Sequence, residues 1–385
     1  MKRIIGGQNL AGGRHDNKRM TAWWFMFVIG IIVGAILVIV QMAVKEANIA
    51  RDQVASLPYT NENGAVATTG EASAEAMRQT PSQHNTAMSD GRNALNNLYV
   101  RVYMTKENRV ERIPLETYVQ GVVAGEMPIE FELEALKAQA IAARTYIVRR
   151  MALKDDSGMP EAGIGSKADV TDTIDHQVYL SLNQLEKKWP KDKRKANKTK
   201  LSEAIEQTRG QIITYDGEPI QAVFFSTSNG YTENSEEYWQ QEIPYLRSVD
   251  SPWDEAISPR YKETVELTLK QFYSKLGISI EGSKKPSIRI LDKTTGNRIG
   301  MITIGGATLS GREVREKLEL ASSQFTWSIE GDSITITTFG YGHGVGMSQW
   351  GANGMAKAGH GAEEIIVHYY SGTKVEQASK LSNRL

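Results

Sequence analysis

The stretch LETYVQGVVAGEMPIEFELEALKAQAIAARTYIVRR, Leu115 to Arg150, decides how the chain is read. It is an apolar segment that carries a single acid in apolar company, Glu126, into the start of a helix. Val122, Val123, Ala124, Met127 and Pro128 surround that acid with groups that cannot solvate a carboxylate. Packed in such company, the carboxyl is desolvated and its pKa rises toward neutral. A carboxylic acid still protonated near pH 7 can give its proton to a leaving oxygen. The alternative is an acid kept beside a helix start for dipole or capping reasons. From Glu132 to Met151, Leu133, Leu136, Ala140, Ala143, Ile147 and Met151 recur at helical spacing and predict an amphipathic helix. Lys137, Ile141, Arg144 and Val148 form the neighbouring stripe, on which the two cations either orient an anionic or polyhydroxylated ligand or are a solvated flank.

Outward from this centre, LYVRVYM and RVERIPL around Lys106–Asn108 predict a hairpin that Pro114 ends. ADVTDTIDHQVYLS reads as irregular extended chain ending in a strand. The basic run Lys187 to Lys200 reads as a loop before a short helix stopped by Gly210, either solvated or facing an anionic polymer. QIITYDGEPIQAVFF predicts a hairpin with Asp216-Gly217 at its turn. Its second strand delivers Ser226, Thr227, Ser228, Asn229 and Gly230 to a loop, and Tyr231, Tyr238, Trp239, Tyr245 and Trp253 follow as sugar-stacking faces or as core. Residues 261–338 read as helix, hairpin, helix, hairpin with no catalytic constellation. FGYGHGVGMSQWGANG then carries glycines at alternate positions that allow close approach to a ligand and expose His343, Ser348 and Gln349. EEIIVHYYSG predicts a last helix.

Composition bounds the function. The 385 residues are 40% hydrophobic and 23% charged with zero net charge, so a substantial core is expected and a nucleic-acid partner is not. The absence of cysteine excludes disulfides, thiolate catalysis and cysteine-ligated zinc. The glycine spacing is not a dinucleotide fingerprint, and the scattered histidines show no HExxH, so no cofactor and no metal are expected. Ala22 to Val40 is an unbroken apolar run of about 19 residues, the length of one membrane-spanning helix. Lys2, Arg3, Arg14, Lys18 and Arg19 precede it against Asp16 alone, which sets the N-terminus in the cytoplasm and the body outside. An uncleaved anchor is expected rather than a cleaved signal. Residues 45–97 read as a polar tether.

VVAGEMP with KAQAIAARTY, then FFSTSNGYTE, YLRSVDSPWD, SGREVREKLEL, GHGVGMSQWGA and HYYSGT, together resemble the stage II sporulation protein D family, which also contains the enhancer of cell-wall amidase. The likeness runs in matching order over residues 98–375. It implies a lytic transglycosylase acting on peptidoglycan glycan strands already stripped of stem peptides, at the bond between N-acetylmuramic acid and N-acetylglucosamine, with a 1,6-anhydro product. It also implies partnership with stage II sporulation proteins P, an amidase, and M during engulfment of the forespore, from the mother-cell membrane facing the septal space. The family's catalytic acid falls on Glu126, its helix cations on Lys137 and Arg144, and its SxSNG loop on Ser226, Ser228 and Asn229. Tyr238, His343 and Gln349 complete the expected substrate-binding set. Some relatives hold zinc on a His and two Cys near DTIDHQVY; this chain has His176 there and no cysteine.

The expected architecture is thus α+β: a mixed helix and strand, two-lobed ectodomain on a single N-terminal transmembrane helix. Its parts are a cytoplasmic tail (1–20), an anchor (21–44), a flexible linker (45–97), a catalytic lobe (98–256, completed by 336–375) and a peripheral α/β lobe (257–335). Non-catalytic recruitment and enhancement of a cell-wall amidase is the alternative function, with a structural link between membrane and wall a further one.

Overall fold

The computed structural model describes residues 95, 97–279 and 287–378. The expected cytoplasmic tail, anchor and nearly all of the linker lie outside these residues; among the described residues no helix is long and apolar enough to cross a membrane.

The described chain is a mixed α+β assembly of small sheets and short helices around one long buried helix. The opening hairpin pairs Tyr99–Met104 with Arg109–Pro114, Tyr99 opposite Pro114, and Val170–Thr171 adds a parallel third strand. Pro114 then starts the helix Leu115–Glu126, in which Tyr118, Val119, Val122 and Val123 are wholly buried. That helix ends because Met127, preceding Pro128, is forced to extended backbone at φ −118° and ψ 143°.

The long helix Leu133–Leu153 is not amphipathic as the spacing predicts; Ala135, Ala138, Gln139 and Ala142, off the expected stripe, are buried as fully as Leu136 and Ile147. Its many alanines let neighbours close in on several sides, so the helix serves as the centre of the core. Against it pack the helices Leu115–Glu126, Arg194–Gln207, Gln349–Lys357 and Ala362–Tyr369 and the strand Gln211–Tyr215. Thr145 Oγ1 ties the middle of that strand to the helix by accepting the Ile213 N–H at 2.8 Å.

Two further expectations are corrected. The basic run is largely helical, divided between Leu182–Lys188, opened by a Ser181/Gln184 capping box, and Arg194–Gln207. The stretch after Thr171 forms no closing strand, because its backbone bonds are made to a helix: Leu180 N–H donates to Gly121 O at 3.2 Å. The Asp216-Gly217 turn has φ of 50° and 81° and joins Gln211–Tyr215 to the short strand Glu218–Pro219. Past that pairing the chain leaves the hairpin, and Phe224–Phe225 pairs instead with Met347–Ser348, in parallel.

A second hydrophobic cluster, including Phe272, Leu276, Ile302, Val314, Phe325, Ile334 and Ile336, is separate from the first. It joins the sheet of Lys262–Thr268, Phe325–Glu330 and Ser333–Phe339 to the sheet of Ile288–Ile290, Met301–Ile304 and Ala307–Ser310, with the helices Leu269–Leu276 and Gly311–Leu318. Both helices open on capping boxes, Thr268 with Gln271 and Ser310 with Glu313.

Inside the main core, Arg144 is fully buried and its guanidinium grips Glu116 through Nε–Oε1 at 3.0 Å and Nη2–Oε2 at 2.6 Å, with Nη1 also donating to Gln211 O at 3.2 Å. Removing one partner strands the other charge in apolar surroundings. Glu116→Gln therefore destabilises the protein by about 3 kcal/mol, read as a lower denaturant midpoint in unfolding followed by tryptophan fluorescence; an unchanged midpoint would show the pair to be idle.

Candidate functional site

Glu126 is the last residue of its helix and not at a helix start as expected, because Met127 before Pro128 ends the helix there, and two segments distant in sequence meet it. Its Oε1 accepts the backbone N–H of Val178 at 2.7 Å. Its Oε2 faces the side-chain amide of Gln349, whose Nε2 lies 3.4 Å away. Burial drives the carboxyl pKa up while the bonds from Val178 and Gln349 pull it down, and burial prevails, so the pKa stands above the ordinary carboxylate value.

Val178 reaches the acid because the helix offers glycine on the facing side. A Cβ on Gly125 would sit 2.6 Å from Val178 O, and one on Gly121 would sit 2.6 Å from Leu180 O. These two positions, one helical turn apart, form the trough in which residues 176–181 lie. His176 anchors the near end. Its Nδ1 accepts the Thr171 N–H at 3.3 Å, which leaves the ring proton on Nε2 to donate to Ser157 O at 3.1 Å. Burial, with Arg150 nearby, lowers its pKa to about 4, so the ring is neutral at pH 7 and both nitrogens are engaged within the fold. Among the described residues no three His, Asp or Glu stand together as a metal site would require.

Gln349 arrives at the first position of the helix Gln349–Lys357, capped by Ser348 Oγ, which accepts the Gly351 N–H at 3.2 Å. Two contacts lock this helix to the turn that follows Glu126: Glu132 N–H donates to Asn353 Oδ1 at 2.8 Å, and the rings of Phe131 and Trp350 meet edge to face at 4.7 Å. The SxSNG loop lies alongside. Ser226 O accepts the Trp350 N–H at 3.0 Å, and Ser226 itself is partly exposed.

The other predicted site residues divide. Ser228 is wholly buried, its Oγ donating to Ser251 O at 2.7 Å and to Asp254 at 3.1 Å. Asn229 is buried too, its amide donating to Gly296 O at 2.9 Å and to Gln324. As placed, these two fix the loop and present no polar group outward. Tyr238 is half-buried, with Trp239 and His343 at 5.3 and 5.6 Å between ring centres and the Arg312 guanidinium 4.5 Å over its ring. His343 Nδ1 accepts the Val345 N–H at 3.0 Å and Nε2 donates to Phe224 O at 3.2 Å; burial, Arg315 and Arg298 push its pKa down to about 3, so it too is neutral.

Neither Lys137 nor Arg144 is bonded to the acid; each is paired with another carboxylate. Arg144 is bound to Glu116, at the far end of the Glu126 helix and about 15 Å along its axis. Lys137 pairs with Glu134 at 2.5 Å and lines a separate cavity of about 360 Å³ with Ile141, Gln211 and Glu376. The alternating glycines are likewise turned to internal use: Gly346, at φ 77°, has Val223 O where its Cβ would fall, 2.2 Å away, and Gly344, at φ 93°, has the Arg298 guanidinium.

Comparison with known proteins follows the same segments. The family model described as stage II sporulation protein matches residues 103–215, which contain Glu126 and Val178. Stage II sporulation protein D of Bacillus subtilis (strain 168) is 50% identical over 285 residues, 74% of this chain and 81% of that protein. The chain belongs to the stage II sporulation protein D family. Another member, from Bacillus amyloliquefaciens, is 44% identical over 330 residues, 85% of this chain and 92% of that protein. The amidase enhancer of Bacillus subtilis (strain 168) is 26% identical over 307 residues, 66% of this chain but 40% of that protein.

Sequence reasoning did not find Val178, whose contribution is a backbone N–H, nor Asp254. The latter is fully buried and accepts Ser228 N–H at 2.8 Å, Ser251 Oγ at 2.9 Å and Ser348 Oγ, tying three family motifs to one carboxylate. The glycine trough gives a test of sign. In an ordinary helix Gly→Ala stabilises by about 1 kcal/mol. Gly125→Ala should instead destabilise by about 1–3 kcal/mol, through its clash with Val178, measured by equilibrium denaturation; a stabilised variant would mean that residues 176–181 do not lie in the trough.

Proposed function

We propose that this sporulation-family protein is a lytic transglycosylase of peptidoglycan, with Glu126 as the group that moves the proton. The observation that carries the reading is a desolvated carboxyl held by one backbone N–H and one amide, neither of which can itself act as acid or base at neutral pH. Hydrolytic glycosidases pair two carboxylates, one to protonate and one to attack or to activate water. A transglycosylase acting on muramic acid needs only one, because the substrate brings its own nucleophile.

Oε1 accepts the short bond from Val178 at 2.7 Å and Oε2 only the long one from Gln349 at 3.4 Å, so the proton of the neutral acid belongs on Oε2. That oxygen protonates the bridging oxygen between N-acetylmuramic acid and N-acetylglucosamine, and the bond from muramic acid C1 to that oxygen breaks. The muramic acid N-acetyl oxygen stabilises the developing cation. Glu126, now ionised, takes the proton of the C6 hydroxyl as O6 closes on C1, giving the 1,6-anhydro sugar and regenerating the acid without consuming water. The Val178 N–H favours the ionised form reached midway and burial favours the neutral form at the start. Balanced against each other, they suit a group that acts first as acid and then as base.

In this reading residues 21–44 anchor the protein in the mother-cell membrane with its body in the septal space. Its substrate there is glycan stripped of stem peptides by stage II sporulation protein P, in company with stage II sporulation protein M. The likeness to the amidase enhancer supports a second reading, a non-catalytic recruiter and activator of an amidase.

Mass spectrometry of denuded glycan incubated with the full-length protein separates the two. The enzyme gives anhydro-muramyl products from wild type and none from Glu126→Gln, a loss of at least about 100-fold. Intact glycan together with faster peptide release by added amidase supports the activator instead. Because only the protonated acid can start the reaction, kcat/KM falls as pH rises through the elevated Glu126 pKa; a rate that rose over that range would contradict the role.

A further inference from the structure

The basic run that the site does not absorb is the most asymmetric charge in the molecule. Residues 187–200 hold eight cations against the single acid Asp192, in a chain whose net charge is zero. Two of the eight are spent inside the fold. Arg194 Nε donates to Trp189 O at 3.2 Å, and Lys200 Nζ reaches back to the turn after Glu126, donating to Ile129 O at 3.1 Å and Phe131 O at 2.5 Å. The remaining six, Lys187, Lys188, Lys191, Lys193, Lys195 and Lys198, are exposed, and none is paired with a carboxylate among the described residues. They are carried on two consecutive helices and the bend between them, Leu182–Lys188 and Arg194–Gln207. The second helix lies against the helix that ends in Glu126, where Gln120 Nε2 donates to Ser202 Oγ at 3.1 Å.

Six exposed like charges on two consecutive helices and their bend repel one another and are retained at a cost to the folded state. That cost is relieved when a polyanion lies along them. The Lys200 bonds tie the second of these helices to the turn at residues 129–131, which follows Glu126 directly in the chain. We infer that the six lysines are a track for a linear polycarboxylate, the lactyl carboxylates that every muramic acid of a denuded strand exposes. This rests on the glycan reading above and names what feeds that site. Arg144 and Lys137, committed to Glu116 and Glu134, leave the carboxylates to this surface.

The test is binding rather than turnover, so that it stands apart from whether Glu126 is catalytic. Full-length Glu126→Gln protein is titrated with fluorescently labelled denuded strands and with the same strands after chemical reduction of their carboxyls to alcohols. Adding Lys191→Glu, Lys195→Glu and Lys198→Glu should weaken binding to native strands about tenfold and leave binding to reduced strands unchanged, as expected for several exposed charge pairs lost together. As a check that needs no variant, raising salt should weaken native-strand binding of the parent protein and not reduced-strand binding. Native-strand binding indifferent to the three reversals and to salt would overturn the track. So would an equal loss on native and reduced strands at an unchanged melting temperature.

Discussion

The account turns on one opposition: a carboxyl removed from water, against a single short hydrogen bond from a backbone N–H. Desolvation of a buried acid shifts its pKa by up to several units, and one backbone donor restores part of that. For Glu126 burial prevails. The surrounding fold keeps that balance in place. The 176–181 segment must lie near enough to donate, which the Gly121 and Gly125 trough permits, and the helix from Gln349 must close the other side, which Asn353 and Trp350 secure against residues 131–132.

Buried polar groups elsewhere hold these walls. Asp254 gathers Ser228, Ser251 and Ser348, and Ser251 in turn meets Tyr369 at 2.8 Å. Glu233 and Arg298 form a buried pair at 2.8 Å in which Arg298 comes from the sequence of the second cluster and Glu233 from beside the SxSNG loop. A buried ion pair adds little net stability, because desolvation offsets most of the attraction, yet breaking one is costly. Such pairs therefore suit geometry more than stability: they penalise every arrangement of the loops in which a charge lacks its partner.

Much of the fold was legible in the sequence because its signals are local. The opening hairpin, the Asp216-Gly217 turn, the capped helices after Thr268 and Ser310, the hairpin at Phe325–Phe339 and the last helix follow from alternation, turn residues and caps. Glu126 was legible for the same reason, since its apolar neighbours adjoin it in the chain. What failed was long-range. The sequence sets Lys137 and Arg144 two turns apart on one helix, but only the partners Glu134 and Glu116 reveal that both cations are already engaged. Ser228, Asn229 and the alternating glycines looked like ligand contacts because polar and glycine-rich loops suit ligands. The close approach they permit is to Asp254, Gly296, Val223 and Arg298 of the same chain. A backbone donor such as Val178 leaves no trace in residue type at all.

The most direct measurement is the titration of Glu126 itself, by infrared difference spectroscopy of the carboxyl stretch in full-length protein, wild type minus Glu126→Gln. The account predicts a midpoint clearly above the ordinary glutamate value of about 4.3, with the protonated band persisting toward neutral pH. A midpoint at or below that ordinary value would contradict it, since the acid would then be ionised before any substrate arrived.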